Sequence, residues 1–319
     1  MKRTIILLLI LLVACQLAQP RTKVPEPPPS VRVGTTSLEI AFNPSSTGNI
    51  FMCTQGEVLV ELRNTGAWDI ENGLYTWIVE DQYLSPLNER SKEFSLKGKT
   101  QYDPLGGFDV STRLKVQSLV LPKQLETYFS PLIFQACYPY RTWASVPVCV
   151  DPDVRNVMKQ KPCKADPVTL AGGQGGPIAV TRVESSMLPL PEGNKVQPVF
   201  AVFVQNMGYG AVVREGDVEL ACKAGEKIGR EKLRPFAEVY VELQERKLDC
   251  LPIDDETKKS VARIEAGVET KFVCKSDDMV YDMSAGTFST VLTVELRYGY
   301  VNTAVFPVTI NRLPQQKEC

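Results

Sequence analysis

From residue 34 onward, apolar and polar residues alternate with a period of two, between turns rich in glycine, proline and asparagine. This alternation is typical of β-strands that bury one face, because successive side chains point to opposite sides. No long segment shows the 3.6-residue period of an amphipathic helix. The pattern therefore predicts an all-β protein. It is clearest in residues 57–62, 74–79, 134–140, 199–204, 239–243 and 291–300.

Short motifs recur in the two halves of the chain. A strand running into an N-x-G turn occurs at Asn64 and again at Asn206. The sequences Tyr138-Pro139-Tyr140 and Tyr298-Gly299-Tyr300 also match, and so do Pro147 and Pro307 further along. Both matches are offset by 160 residues. The early motifs are offset by only 142 residues, which predicts an insertion of about 18 residues, placed in 219–235. We interpret the halves as repeats.

The alternation predicts how each repeat ends. Residues 132–140 and a return strand through 144–150 form a hairpin in this interpretation, with residues 292–310 forming its counterpart. Tyr138, Tyr140, Tyr298 and Tyr300 then pack into the core rather than forming a sugar-binding platform. Trp143 falls in the turn, where packing is weakest, and is our candidate ligand contact. The N-x-G motifs are expected to be turns, since asparagine and glycine tolerate positive φ.

These patterns give the following division of the chain. We predict two tandem Ig-like antiparallel β-sandwiches at 34–152 and 178–312, joined by a flexible, glycine-containing linker at 153–177. Residues 313–319 are a C-terminal tail. A proline-rich segment at 16–33 is either a polyproline-type tether or an ordinary disordered linker. Residues 1–15 are a signal segment.

The signal segment combines two basic residues with a short apolar run. Lys2 and Arg3 precede ten apolar residues, which as a helix reach about 15 Å, roughly half of a bilayer core. The run ends in Leu12-Val13-Ala14-Cys15. This order resembles bacterial-type lipoprotein signals, which implies cleavage before Cys15 and attachment of lipid to its thiol. A plain secretory signal or an uncleaved anchor is the alternative.

Residues 34–312 also resemble a known family. Strands entering N-x-G turns are similar to the Ig-like CARDB modules of exported and cell-surface proteins in bacteria and archaea. The Y-x-Y motifs, the glycine-rich linker and the second N-x-G module resemble uncharacterised exported proteins of small-genome archaea. The resemblance implies a fold and an extracytoplasmic setting, and no activity.

Cysteine spacing favours disulfides over metal sites. Eight cysteines follow Cys15, and none forms a C-x-x-C motif. Side-chain parity places Cys137 on the outward face of its strand, which leaves two alternatives open: Cys137–Cys149 or Cys149–Cys163. In the second half we predict Cys250–Cys274. Cys319, the last residue, is expected to be unpaired or intermolecular.

Composition excludes several chemistries. The chain has no histidine, which removes the commonest general base and metal ligand. Its 36 basic and 37 acidic residues give no basic excess for nucleic acid. The acidic stretches at 151–153, 254–256 and 277–282 lack calcium-loop spacing and are expected to be solvated loops. We predict no catalytic residues, cofactor or metal.

The expected function is therefore binding or scaffolding outside the cytoplasm. The membrane is contacted through lipid on Cys15, and a protein or glycan partner through the sandwich loops. The alternative is an accessory subunit of a cell-envelope assembly, such as a pilus, surface layer or secretion machine, in which an edge strand accepts a partner strand. A third hypothesis, a glycan hydrolase using two carboxylates, requires a concave acidic cleft.

Overall fold

The computed structural model describes residues 28–191, 193–223 and 233–314, and the regular secondary structure of this part is nearly all β-strand. The prediction of an all-β, antiparallel sandwich is confirmed at this level. Cys15 and Cys319 lie outside the described residues, as do the signal segment and most of the proline-rich segment.

The first half contributes nine strands. They are β1 (Leu38–Phe42), β2 (Asn49–Phe51), β3 (Gln55–Asn64), β4 (Ile70–Ile78), β5 (Leu84–Pro86), β6 (Ser91–Leu96), β7 (Phe108–Ser118), β8 (Thr127–Phe129) and β9 (Leu132–Val150). An outer sheet has the order β1-β3-β7-β5. Its apolar face packs on β4 and β9, where the Trp77 and Phe134 rings lie 4.9 Å apart.

The second half contributes the remaining strands and one short helix. These elements are β10 (Val168–Thr169), β11 (Ile178–Pro189), β12 (Lys195–Asn206), β13 (Ala211–Val213), α1 (Val218–Lys223), β14 (Phe236–Leu243), β15 (Arg246–Leu251), β16 (Val261–Arg263), β17 (Glu269–Lys275), β18 (Tyr281–Asp282), β19 (Phe288–Phe306) and β20 (Thr309–Asn311). A 3-10 turn at Glu215–Asp217 precedes α1. Most of α1 lies within 219–235, the stretch that is expected to carry the extra residues of this half, and the turn directly precedes that helix.

The longest sheet runs through both halves. Its order is β10-β11-β12-β17-β15-β14-β19-β9-β4-β6, and β13, β16 and β18 pair beside this path. At its middle, β9 and β19 are antiparallel over 19 residues each, from the pair Leu132–Phe306 to the pair Val150–Phe288. One hydrophobic core includes buried residues from both halves. The halves are therefore continuous in sheet and in core.

The predicted hairpins are wrong. Neither β9 nor β19 turns back on itself, and the strand that each was expected to fold onto is supplied by the other half. Tyr138 lies opposite Tyr300, and Tyr140 lies opposite Tyr298. Period-two alternation is the same in a hairpin and in a strand that continues straight, so the pattern did not distinguish them. Residues 141–145 also carry no glycine, asparagine or proline to force a turn.

As a result, each long strand contacts the opposite half beyond the β9–β19 ladder. Near the end of β19, the Asn302 Nδ2 donates to the Leu38 carbonyl of β1 at 2.8 Å. In β9, the Thr142 hydroxyl donates to the Ile178 carbonyl of β11 at 2.7 Å. Strand β20 then pairs with β2 and β8 of the first half. This exchange of strand ends is the arrangement seen when two modules swap an element.

Candidate functional site

The four matched tyrosines lie together at the centre of the molecule. All are buried, which confirms core packing, and the Tyr138 and Tyr300 rings lie 6.1 Å apart. Burial raises the pKa of all four hydroxyls, to about 12 for Tyr300. They stay protonated at neutral pH and can both donate and accept hydrogen bonds.

The two N-x-G motifs make the same contacts around these hydroxyls. The Asn64 Oδ1 accepts from the Gly66 N–H at 3.1 Å, and its Nδ2 donates to the Trp68 carbonyl at 2.7 Å. The Trp68 N–H then donates to the Tyr140 hydroxyl at 3.2 Å. Each asparagine therefore closes a turn, and a tyrosine from the central sheet supports it.

The second motif repeats these contacts. The Asn206 Oδ1 accepts from the Gly208 N–H at 3.1 Å, and its Nδ2 donates to the Gly210 carbonyl at 2.9 Å. The Gly210 N–H donates to the Tyr300 hydroxyl at 2.8 Å. The two halves thus correspond residue by residue around this centre.

The expected reason for these glycines is wrong. Neither Gly66 nor Gly208 has a positive φ. A Cβ on Gly66 would instead lie 1.9 Å from the Tyr140 hydroxyl, and one on Gly208 would lie 2.4 Å from the Tyr300 hydroxyl. Glycine is required because a tyrosine oxygen occupies the space of a side chain.

The linker before β11 is not flexible at its end. Gln174 is buried, and its side-chain amide accepts from the Val180 N–H at 2.8 Å and donates to the Val180 carbonyl at 3.1 Å. The Gly175 carbonyl accepts from the Ala67 N–H at 2.8 Å, and the Tyr140 hydroxyl also donates to this carbonyl. The linker is fixed because it satisfies the open edge of β11 and the buried tyrosine.

Strand β10 covers the next part of the same edge. Val168 pairs with Val183, Thr169 pairs with Arg182, and the Leu170 N–H donates to the Thr181 carbonyl at 2.8 Å. The edge of β11 therefore has two neighbours from its own chain, a short strand and a glutamine amide.

The edge of β1 has no such neighbour within the part of the chain that the structure describes. In an antiparallel ladder, alternate residues direct both backbone groups to the same side. The Ser37 carbonyl accepts from Thr65 on the β3 side, and the Leu38 carbonyl accepts from Asn302 on the other. Ile40 therefore directs its N–H and C=O away from β3, and neither group has a partner among the residues that the structure describes.

These groups of Ile40 face a groove of about 540 Å³. It runs between the edge of β1, the end of β19 and the loop that follows Asn206. Met207 and Tyr209 of this loop are exposed beside it. Among the described residues, Glu39 is the only charged one in the lining, and it is exposed and forms no ion pair with the others. The groove thus has an unsatisfied strand edge as one wall and a carboxylate at its rim.

A second recess, of about 600 Å³, lies next to Trp68. Arg141 stacks over the Trp68 ring at 4.8 Å, and the Asp69 carboxylate accepts from Lys97 at 2.6 Å and from the Gly98 N–H at 2.8 Å. Three carboxylates and three cations line the recess: Asp69, Glu71, Glu215, Lys97, Lys99 and Arg141. Its charges balance, so it is not the acidic cleft that the hydrolase hypothesis requires.

Trp143 is not in a turn. It lies within β9, opposite Glu295 of β19, and is half-buried against the main core. It lines neither the groove at β1 nor the recess at Trp68. The interpretation of Trp143 as a contact residue depended on the hairpin, and the continuous strand removes that reason.

Three disulfides join pairs of described cysteines. Cys149 is bonded to Cys163 and Cys250 to Cys274, while the alternative pair Cys137–Cys149 is wrong. Cys137 is bonded to Cys222 of α1, 85 residues away, and Cys53 is disulfide-bonded as well. The side-chain alternation correctly placed Cys137 on the side of β9 away from the main core, where it packs in a separate small cluster. The disulfides indicate an oxidising, extracytoplasmic compartment.

Two of the acidic stretches are more ordered than expected. Asp153 is buried and accepts from the Val157 and Met158 N–H groups at 3.0 and 2.8 Å. Asp254 is also buried, accepting from Thr257 and pairing with Arg234 at 3.1 Å. The expectation of solvated loops is wrong for these two carboxylates, because each closes its loop internally. Within residues 28–191, 193–223 and 233–314, no group of three or more acidic or cysteine residues is arranged to hold a metal.

The described part of the chain has no helix that is long and apolar enough to cross a membrane. No known protein family model matches the sequence, and a search of curated proteins finds no match.

Proposed function

We propose that this protein is a non-catalytic binding protein displayed outside the cytoplasm, and that the groove along β1 is its contact surface. The unpartnered backbone of Ile40, facing a groove of about 540 Å³, is the observation that carries the proposal. An unpaired strand edge is a ready site for association, and proteins normally cover or shorten it.

The other edges of the two larger sheets are less suited to this role. Strand β5 has three residues and ends in Pro86, β10 has two residues, and β6 carries Lys92 and Glu93 on its exposed positions. Short length, proline and charge are the devices that protect edges from association. Strand β1 has five residues and no proline, and only Glu39 is charged.

In the proposed arrangement, the lipid on Cys15 holds the protein at the membrane and the proline-rich segment separates the folded body from the surface. Mass spectrometry of the mature protein tests the anchor. We expect the N-terminus at Cys15 with added acyl mass; a mature chain beginning elsewhere without lipid would contradict anchoring while leaving the groove untouched.

A photo-crosslinking amino acid tests the contact surface. It is placed at Ala41, which is exposed at the groove, and in a control at Val157, which is 76% exposed in a distant loop. With the full chain in membranes of the source cells, we expect an adduct from position 41 and none from position 157. Adducts from both positions, or from neither, would contradict the assignment of the groove.

The same edge supports the second candidate, an accessory subunit of an envelope assembly. A subunit is expected to give one stoichiometric protein adduct, since strand edges associate with polypeptide. A binding protein for glycan or matrix would give heterogeneous adducts at Ala41 and would retain its glycan or matrix ligand after detergent extraction.

A further inference from the structure

The second half of the molecule contains an occupied copy of the site that is open in the first. Leu38 pairs with Asn64, and Ile178 pairs with Asn206 of the matching motif. Asn302 donates to Leu38 as Thr142 donates to Ile178, and these two donors are offset by the same 160 residues as the tyrosines. Leu38 therefore corresponds to Ile178.

By this correspondence, Ile40 of the open edge matches Val180 of the covered one. Both residues direct their N–H and C=O away from the inner neighbour strand. At Val180 these groups bond to the primary amide of Gln174, which uses one acceptor and one donor. In an added antiparallel strand, the N–H and C=O of one residue offer the same pair of groups. The position of Ile40 is thus arranged for such a pair, and none is supplied by the described residues.

The direction of an added chain also follows from the covered edge. Strand β10 runs antiparallel to β11, where it pairs with Arg182 and Val183, residues that correspond to Ala41 and Phe42 after a one-residue bulge in β11. A segment in the groove has the same geometry available along β1. The described residues that directly precede β1 do not pair with its outer edge, because Gly34 hydrogen-bonds with Gly172 and Gly175 instead.

The charge of Glu39 indicates which side chain a segment bound in the groove should carry. Glu39 points to the exposed face of β1, and its neighbour across the β3 ladder, Arg63, is directed over the Phe108 ring at 5.3 Å. A side chain on an added strand would lie about 5 Å from Glu39 on that face. A lysine or arginine there satisfies the one carboxylate in the lining, and opposite charges at such positions stabilise a pair of strands.

We propose that the groove binds an extended polypeptide that adds to β1 as an antiparallel strand and places a basic side chain opposite Glu39. This inference rests on the proposed binding function and specifies the class of partner. Affinity comes from backbone hydrogen bonds to Ile40, and selectivity comes from the carboxylate and the small residue Ala41 beside it.

The test uses a nine-residue peptide with blocked ends, in which valine alternates with lysine and threonine, titrated into the full chain. We expect saturable binding, with NMR shifts confined to residues 36–41 and the facing end of β19. A matched peptide with glutamate in place of lysine should bind at least about tenfold more weakly, which is a difference of about 1.4 kcal/mol. Absence of saturable binding up to about 1 mM, or shifts elsewhere, would overturn the inference.

Two variants examine the separate contributions. Ile40→Pro removes the N–H that faces the groove, at an edge position where proline is tolerated, and should abolish binding, whereas Ile40→Val should preserve it. Glu39→Lys should lose the lysine peptide and gain the glutamate peptide. If Ile40→Pro fails to fold, this charge exchange decides alone, and unchanged selectivity in Glu39→Lys would contradict the proposal.

The two proposals can fail separately. Peptide binding at β1 without a crosslinked cellular partner at Ala41 would remove the proposed function and leave the strand-addition chemistry. A cellular adduct at Ala41 that is unaffected by Ile40→Pro and Glu39→Lys would keep the binding function and exclude an added strand.

Discussion

Pro139 and Gly299 lie opposite each other in the ladder between β9 and β19. They are also matching members of the two Y-x-Y motifs, so this pair lies on a local two-fold axis that relates the halves. The tyrosines on either side of it pair across the axis, Tyr138 with Tyr300 and Tyr140 with Tyr298. The equivalence of the halves is therefore built around the contact at which they join.

The two-fold relation breaks down at Gly299, which gives the first prediction. A Cβ on Gly299 would lie 2.5 Å from the Val218 side chain and 2.9 Å from the Arg214 carbonyl, both just before the stretch 219–235 that is expected to carry the extra residues of the second half. Gly299→Ala should reduce the free energy of unfolding by roughly 1–3 kcal/mol through overpacking. Denaturant titration measures this. Gly216→Ala, with open space around its Cβ, serves as the control and should differ little from the wild type.

The repeated hydroxyl contacts predict matched losses of stability. Tyr140→Phe leaves the Trp68 N–H without its partner, and Tyr300→Phe does the same to the Gly210 N–H. Each change should cost about 1–3 kcal/mol of unfolding free energy, because a buried donor is left unsatisfied. Tyr102→Phe, at a fully exposed position, is the control. A loss at only one of the two buried tyrosines would show that the halves are not energetically equivalent.

The disulfides should differ in their contribution to stability. In the chain-entropy description, the stabilisation grows with the length of the closed loop. Replacing Cys137 and Cys222 by alanine opens a separation of 85 residues and should cost about 4–5 kcal/mol, against about 3 kcal/mol for Cys149 and Cys163, which are separated by 14. Thermal unfolding of the two double variants checks the order, and the reverse order would contradict it.

Hydrogen exchange distinguishes the covered edge from the open one. The Val180 amide donates to the buried Gln174 side chain, while the Ile40 amide faces the groove. In the free protein, Val180 should exchange slowly and Ile40 rapidly. Gln174→Ala should remove the protection of Val180 and cost about 1–3 kcal/mol, since both backbone groups lose their partner. Gln101→Ala, at an exposed site, should change neither amide.

Low pH should reduce the stability of the folded protein by protonating Asp153. The Val157 and Met158 N–H groups, with Lys161, lower the pKa of this carboxyl from its ordinary value. A lowered pKa in the folded state means that the stabilisation is present above the unfolded pKa of about 3.9 and is lost as the pH falls through the folded value. Asp153→Asn should therefore melt at a lower temperature than wild type at pH 7, and the difference should shrink as the pH falls below the unfolded pKa and through the lower folded pKa.

The control for this experiment is Asp166→Asn, at an exposed position in the same segment. It should follow the wild-type melting temperature at both pH values. A difference between Asp153→Asn and wild type that persists unchanged in acid would mean that the charge of Asp153 is not responsible.

Alternation along the chain was sufficient to predict the all-β fold and the burial of the four tyrosines, because both depend on which face of a strand a residue occupies. It could not predict the partner of a strand. The straight course of β9 is decided by its pairing with β19, more than 130 residues away in sequence for every pair. Local pattern contains no information on such a choice.

The candidate site was missed for a related reason. Edge strands were expected to accept a partner, but the residue pattern of β1 does not show that its outer edge is open. What distinguishes Ile40 from Val180 is the position of Gln174, within a segment that glycine content suggested was flexible. Gln174 is the one large polar residue among those glycines, and this could have indicated a structural role.

The exchange of strand ends has a consequence for how the molecule could be cut. Residues 153–167 connect β9 to the second half, yet β9 already contacts β11 of that half, and β19 contacts β1 of the first. A protease that nicks this connection would leave two fragments that stay joined by the Cys137–Cys222 disulfide and by the pairing of their longest strands. Even after reduction of that disulfide, neither fragment could leave without exposing the core of the other.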